Sequence, residues 1–184
     1  MLYNTDDPYF MLILLILILI SASVFLFTKN SGTYKIRRGM NFSGIWFLKM
    51  FIMKQTPFQV RVKLTRSCEV KTLGVQKIFG MGDLLHHKNS DRYGFIYEGD
   101  SKFGIYSYQY RNGKLLPWEK LGTVDTNEDF YITFINTDSY PIGRYLFPYF
   151  EQDGDDEKGA PHDMVIELDF VPLNPMVSAQ LFEL

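Results

Sequence analysis

Phe10 to Phe27 reads FMLILLILILISASVFLF, and no charged residue occurs between Pro8 and Thr28. A run that is apolar on every side has no polar face to lay on a surface, so it reads as a membrane-spanning helix. Its eighteen residues would rise about 27 Å at ~1.5 Å each, against a hydrocarbon core of roughly 30 Å. The rival reading is a cleaved signal peptide, for which Ser21-Ala22-Ser23 supplies small residues after the apolar stretch Phe10 to Ile20. The flanks oppose it. The leading segment carries Asp6 and Asp7 and no Lys or Arg, and the apolar run continues through Val24-Phe25-Leu26-Phe27.

Charge orients the run and divides the rest of the chain. Lys29, Lys35, Arg37 and Arg38 come after it and no cation precedes it, so the positive-inside rule expects a single pass through the cell inner membrane with the C-terminal side in the cytoplasm. The one cysteine, Cys68, excludes an internal disulfide framework and agrees with a reducing compartment. Between Lys29 and Ser67 there are nine cations and no Asp or Glu, whereas from Cys68 to Leu184 there are 10 basic and 19 acidic residues. The basic stretch reads either as a collar held against anionic headgroups, with Lys29, Lys35, Arg37 and Arg38 at the membrane surface, or as positive-inside bias plus a solvated strand face. Nucleic acid is not an expected partner, because the acidic body would repel phosphates.

The chain therefore divides into a short acidic tail (residues 1–8), the spanning helix (9–28), a basic juxtamembrane segment (29–54) and a folded body (55–184). Phe42 to Met53, FSGIWFLKMFIM, is too short to span; it reads as an interfacial segment or a buried first strand, and Gly44, Phe47 and Ile52 favour the strand.

The body reads as all-β. Phe58, Val60, Val62 and Leu64 alternate with Gln59, Arg61 and Lys63, and Met164, Ile166, Leu168 and Phe170 alternate in the same way, the pattern of half-buried strands. Phe130 to Asn136 is continuously apolar enough for a central strand. Tyr93–Glu98 and Phe103–Tyr110 flank Gly99-Asp100-Ser101-Lys102 as a hairpin, and Asn112-Gly113 suits a tight turn with positive φ at both centres. With 16 Phe, 12 Tyr and 2 Trp, seven or more short strands separated by turn residues predict an antiparallel β-sandwich, jelly-roll-like, with a barrel second.

Three groups of residues carry chemistry. His86, His87, His162 and Asp163 would ligate a divalent metal if their loops were adjacent, but these residue types serve turns equally well and neighbours on an extended chain point to opposite faces. The acidic run Glu151 to Glu157 has carboxylates enough for calcium without EF-hand spacing, and reads as a solvated loop. Tyr106, Tyr108 and Tyr110 share one strand face with Trp118 close behind; exposed, Tyr106, Tyr108 and Trp118 form a platform for sugar rings, yet the polar character of Ser107 and Gln109 opposite favours the tyrosines facing the core. No nucleophile elbow, phosphate loop or dinucleotide fingerprint is present, and Cys68 reads as a buried, inert thiol.

The words Thr65-Arg66-Ser67-Cys68, Lys77-Ile78-Phe79-Gly80, His86 to Phe95 (HHKNSDRYGF), Tyr110 to Lys114, Gly143 to Phe150 (GRYLFPYF) and Ala160-Pro161-His162-Asp163 resemble a family of uncharacterised bacterial and phage-borne proteins. The resemblance implies a single β-sandwich, like the lectin and glucanase jelly rolls, with the histidine words near one another; it implies no activity. The expectation from the whole sequence is a membrane-anchored, non-enzymatic β-sandwich binding module with the membrane and a protein as partners and no cofactor. An exported jelly roll that binds or cleaves carbohydrate is the alternative, and a divalent-metal-dependent hydrolase the third reading.

Overall fold

The computed structural model describes residues 8–28, 32–43, 58–83, 87–135, 144–152, 158–171, 173 and 181–183. The chain forms two compact units, Met1–Asn30 and Ser31–Leu184. The first carries α1, Pro8–Thr28, a helix of 21 residues with no acid in its first turn and no base in its last. Its side chains are described from Tyr9 to Leu19, where Met11 to Leu19 are all exposed. Among the described residues no helix is long and apolar enough to cross a membrane.

The second unit is two facing sheets. One has the order β1-β10-β2-β8-β11, from Gly32–Ile36, Met164–Val171, Phe58–Leu64, Asp129–Phe134 and Leu181–Glu183. The other has the order β6-β5-β4-β3-β9, from Lys114–Leu115, Lys102–Arg111, Ser90–Gly99, Gln76–Gly82 and Arg144–Leu146, and β7 (Lys120–Asp125) pairs with β5. The expected all-β sandwich is what forms. Two of its strands have the bounds the alternation predicts, Phe58–Leu64 and Met164–Val171. Among the described residues all strand pairs are antiparallel except β11 with β8, a parallel pairing that the long path through β9 and β10 permits.

Alternation decides the core. Val60, Val62 and Leu64 of β2 point inward with Met164, Ile166 and Leu168 of β10 and Phe130, Ile132 and Phe134 of β8. Phe79, Met81, Tyr93, Phe95, Phe103 and Ile105 meet them from the other sheet. Phe79 sits among aromatic edges, with ring centroids 5.4 Å from Phe170, 5.7 Å from Phe134 and 5.7 Å from Phe147, in the edge-to-face geometry that the ring quadrupole favours. On the outer face of the five-stranded sheet Arg61 pairs with Asp169 and Asp129, and Lys63 with Asp129 and Glu167.

Three readings need correction. The sandwich does not begin at residue 55. β1, within the stretch assigned to the juxtamembrane segment, is an edge strand on β10, with Tyr34 and Ile36 buried and Tyr34 stacked on Phe147 at 5.1 Å; its alternation over five residues is obscured in the sequence by the surrounding cations. Lys35 accordingly bonds Asp163 at 2.7 Å, while Arg37 and Arg38 are exposed and Lys29 lies outside the described residues. The β4–β5 loop is also shorter than the sequence suggests. Its centre is Asp100-Ser101, both at positive φ (50° and 56°), with Gly99 closing β4 and Lys102 opening β5. The third concerns the tyrosine row. Phe103 and Ile105 face the core and are fully buried, and Tyr106, Tyr108 and Tyr110 lie on the outer face. Most of Phe42–Met53 lies outside the described residues; Phe42 itself bridges Tyr149.

Candidate functional site

The outer face of the six-stranded sheet carries a pocket of about 290 Å³ lined by Leu73, Val75, Lys77, Tyr108, Leu115, Trp118 and Glu151 with the backbone of Gly74. Its floor is β3 and β5. The register of β5 sends Tyr108 outward because Phe103 and Ile105, an odd number of residues away, are the groups the core claims. Although it points away from the core, Tyr108 is only 8% exposed, since Trp118 lies near-parallel to it at 6.5 Å between centroids and the Lys77 ammonium sits 4.7 Å above its ring. Burial is the main cause that holds the Tyr108 hydroxyl well above the ordinary tyrosine range.

Lys77 is 5% exposed and pairs with the Glu151 carboxylate. A cation taken out of water to that degree needs such a partner. The pairing places Glu151, expected at the start of a solvated acidic loop, in the pocket wall; Asp153 to Glu157 lie outside the described residues. The wall is tied by a single buried side chain. Gln76 donates from Nε2 to the Glu151 carbonyl at 2.6 Å and to the Gly74 carbonyl at 3.2 Å, and accepts at Oε1 from the Glu151 amide at 2.8 Å. It thus fastens the Leu73–Gly74 turn to the Glu151 backbone.

Trp118 is held from both sides by backbone bonds to β5, Leu116 N–H to the Gln109 carbonyl and Ser107 N–H to the Glu119 carbonyl, each at 2.9 Å. Trp118 is nonetheless 42% exposed, and it stands with the exposed Leu115 and Leu73 at the rim. Exposed apolar side chains gathered around a polar floor are a mark of a binding site rather than of a bare surface.

No protein-family model and no curated protein matches the chain.

Of the three candidate platform residues, Tyr108 and Trp118 meet in this pocket and Tyr106 does not. Tyr106 bonds Glu98 at 3.3 Å, and Lys120 bonds the same carboxylate at 2.6 Å; bulges at Glu98 and Leu121 shift the register there and gather the three. The histidine motifs take separate partners. His87 meets Tyr110 edge-on at 5.3 Å, extending the outer aromatic row, while His162 Nε2 lies 2.7 Å from the Ser67 carbonyl. The Asp163 carboxylate is occupied by Lys35 and by the Arg38 amide at 2.9 Å, which draw its pKa below the ordinary value. Among the described residues no three His, Cys, Asp or Glu side chains are grouped to hold a metal; His86 lies outside them. Cys68 is fully buried, its thiol pushed up to about 12 by that burial.

Sequence reasoning missed Gln76, Lys77, Glu151, Leu73 and Leu115. A polar pair, Gln76-Lys77, opening an otherwise apolar strand was the available signal.

Proposed function

We propose that this chain is a membrane-tethered β-sandwich binding module that takes its ligand in the Trp118 pocket and performs no chemistry on it. The observation that carries the reading is one pocket lined by the partly exposed Trp118, whose flanking backbone is bonded to β5, and by the ion pair of the buried Lys77 with Glu151. A rigid aromatic beside a small number of oriented polar groups is what a small-molecule site requires. The interleaved strand order, β1-β10-β2-β8 against β4-β3-β9, supports a jelly-roll arrangement, a fold widely used for binding. The tether rests on the sequence alone: Phe10 to Phe27 is eighteen residues without a charge, about 27 Å long if helical. The cations after it favour the cytoplasmic face of the inner membrane for the sandwich.

Two experiments test this. Carbonate-washed membranes retain the full-length protein, and a reporter fused after Leu184 is active in the cytoplasm; a protein in the soluble fraction removes the tether. A chemically mixed fragment library, screened by NMR, shifts the Trp118 indole and Leu115 methyl resonances; a library without any such shift removes the pocket.

A further inference from the structure

We infer that the Trp118 pocket takes one uncharged sugar ring, a reading that rests on the pocket being a binding site. Charge sets the class. The floor holds one ammonium and one carboxylate in contact, so an anionic ligand meets Glu151 and a cationic one meets Lys77, and either loses affinity to the like charge. A neutral ring with adjacent hydroxyls suffers neither penalty. The Lys77 ammonium donates to one hydroxyl oxygen while the Glu151 carboxylate accepts from the next, and charge-assisted bonds of this kind are about twice as strong as neutral ones.

Shape and stacking agree. A pyranose has one face of C–H groups, and the partly exposed Trp118 offers a flat, electron-rich surface to receive it. The indole rests near-parallel to Tyr108 of the floor, and backbone bonds on either side fix the segment that carries it, so little ordering remains to be done on binding. The volume, about 290 Å³, lies just below the range of drug-sized ligand pockets, roughly 300–1,000 Å³, and so suits one ring rather than an extended chain. Leu73 and Leu115 then shield the hydroxyl bonds from water at the rim.

The test uses the full chain in a detergent without a sugar headgroup. Methyl glycosides of glucose, galactose, mannose and N-acetylglucosamine are titrated while the Trp118 indole and the Leu115 and Val75 methyl resonances are followed. Indole, benzoate and benzylamine form the matched panel without hydroxyls, and vesicles bearing a monohexosyl diacylglycerol form a second sugar arm. The expected result is a saturable shift with at least one glycoside at those resonances. Trp118→Ala weakens it about tenfold or more and Trp118→Phe weakens it less, with both variants melting near the parent because the indole is partly exposed. A response to the vesicles alone assigns the sugar to a lipid headgroup, and a response to soluble glycosides assigns it to a free or glycan-borne ring. Shifts with the hydroxyl-free panel and none with any sugar overturn the sugar assignment and leave the pocket standing. Silence in every arm overturns both.

Discussion

At residue scale, neighbouring positions on one strand have opposite fates. Phe103 and Tyr106 are three apart on β5, one in the core and one on the outer face beside Glu98. Phe103→Ala leaves a cavity among Phe95, Tyr97 and the facing sheet and is expected to cost about 3–5 kcal/mol. Tyr106→Ala, half-buried, is expected to cost about 1 kcal/mol; chemical denaturation of the pair distinguishes the two, and equal losses would mean that the face assignment is wrong. Cys68 gives a second check. With its thiol buried and shifted up to about 12, the native protein resists a thiol reagent at neutral pH and reacts fully once denatured.

At the scale of elements, turns and edges carry the adjustable stability. Asn112-Gly113 has positive φ at both centres (51° and 80°), the pairing that a type I′ turn wants, whereas Asp100-Ser101 adopts the same region with two side chains. Replacing Asp100-Ser101 by Asn-Gly is therefore expected to raise stability by about 0.5–1 kcal/mol, read as a higher melting temperature. The β1 edge depends on a charge. The Lys35 contact, first, and the Arg38 amide hold Asp163 below its ordinary value in the folded chain, so the stabilisation is present above the unfolded value and is lost as pH falls through the folded one. Carboxyl NMR titration should find Asp163 below its unfolded value, and Lys35→Ala should move it upward.

At the scale of the whole molecule, the two sheets share one aromatic core, and that core includes β1. A chain beginning at Gln55 removes Tyr34 and Ile36 and uncovers the ladder groups of β10 that pair with Gly32–Ile36. An exposed apolar edge invites association. Such a chain is expected to melt lower and to aggregate, whereas one beginning at Ser31 behaves as a monomeric sandwich in sedimentation; matched behaviour would show β1 to be dispensable.

The β character of the body was legible wherever one face of a strand is buried and the other solvated. In Phe58–Leu64 and Met164–Val171 the side chains alternate in hydrophobicity because they alternate in space. The Asn112-Gly113 turn was legible too, since positive φ selects Asn and Gly, whereas the Asp100-Ser101 turn was found in place but not in length. Residues with two apolar or two polar options were not legible. β5 carries aromatic or aliphatic residues on both faces, Phe103 and Ile105 on one and Tyr106, Tyr108 and Tyr110 on the other, and only packing against the facing sheet chose Phe103 and Ile105 over the tyrosines. The candidate site lay further still from the sequence. Gln76, Lys77, Trp118 and Glu151 are drawn from three separate stretches, and their meeting depends on strand order and register, long-range properties that local periodicity does not encode. By itself the sequence determined an uncharged N-terminal helix, a β-rich body and its turns, because these follow from local hydrophobicity and backbone sterics. Which strand face meets the core, that β1 belongs to the sandwich, and that a buried lysine and a partly exposed tryptophan line one pocket were decided by the tertiary structure, because only the packing of one sheet on the other assigns each side chain its neighbours.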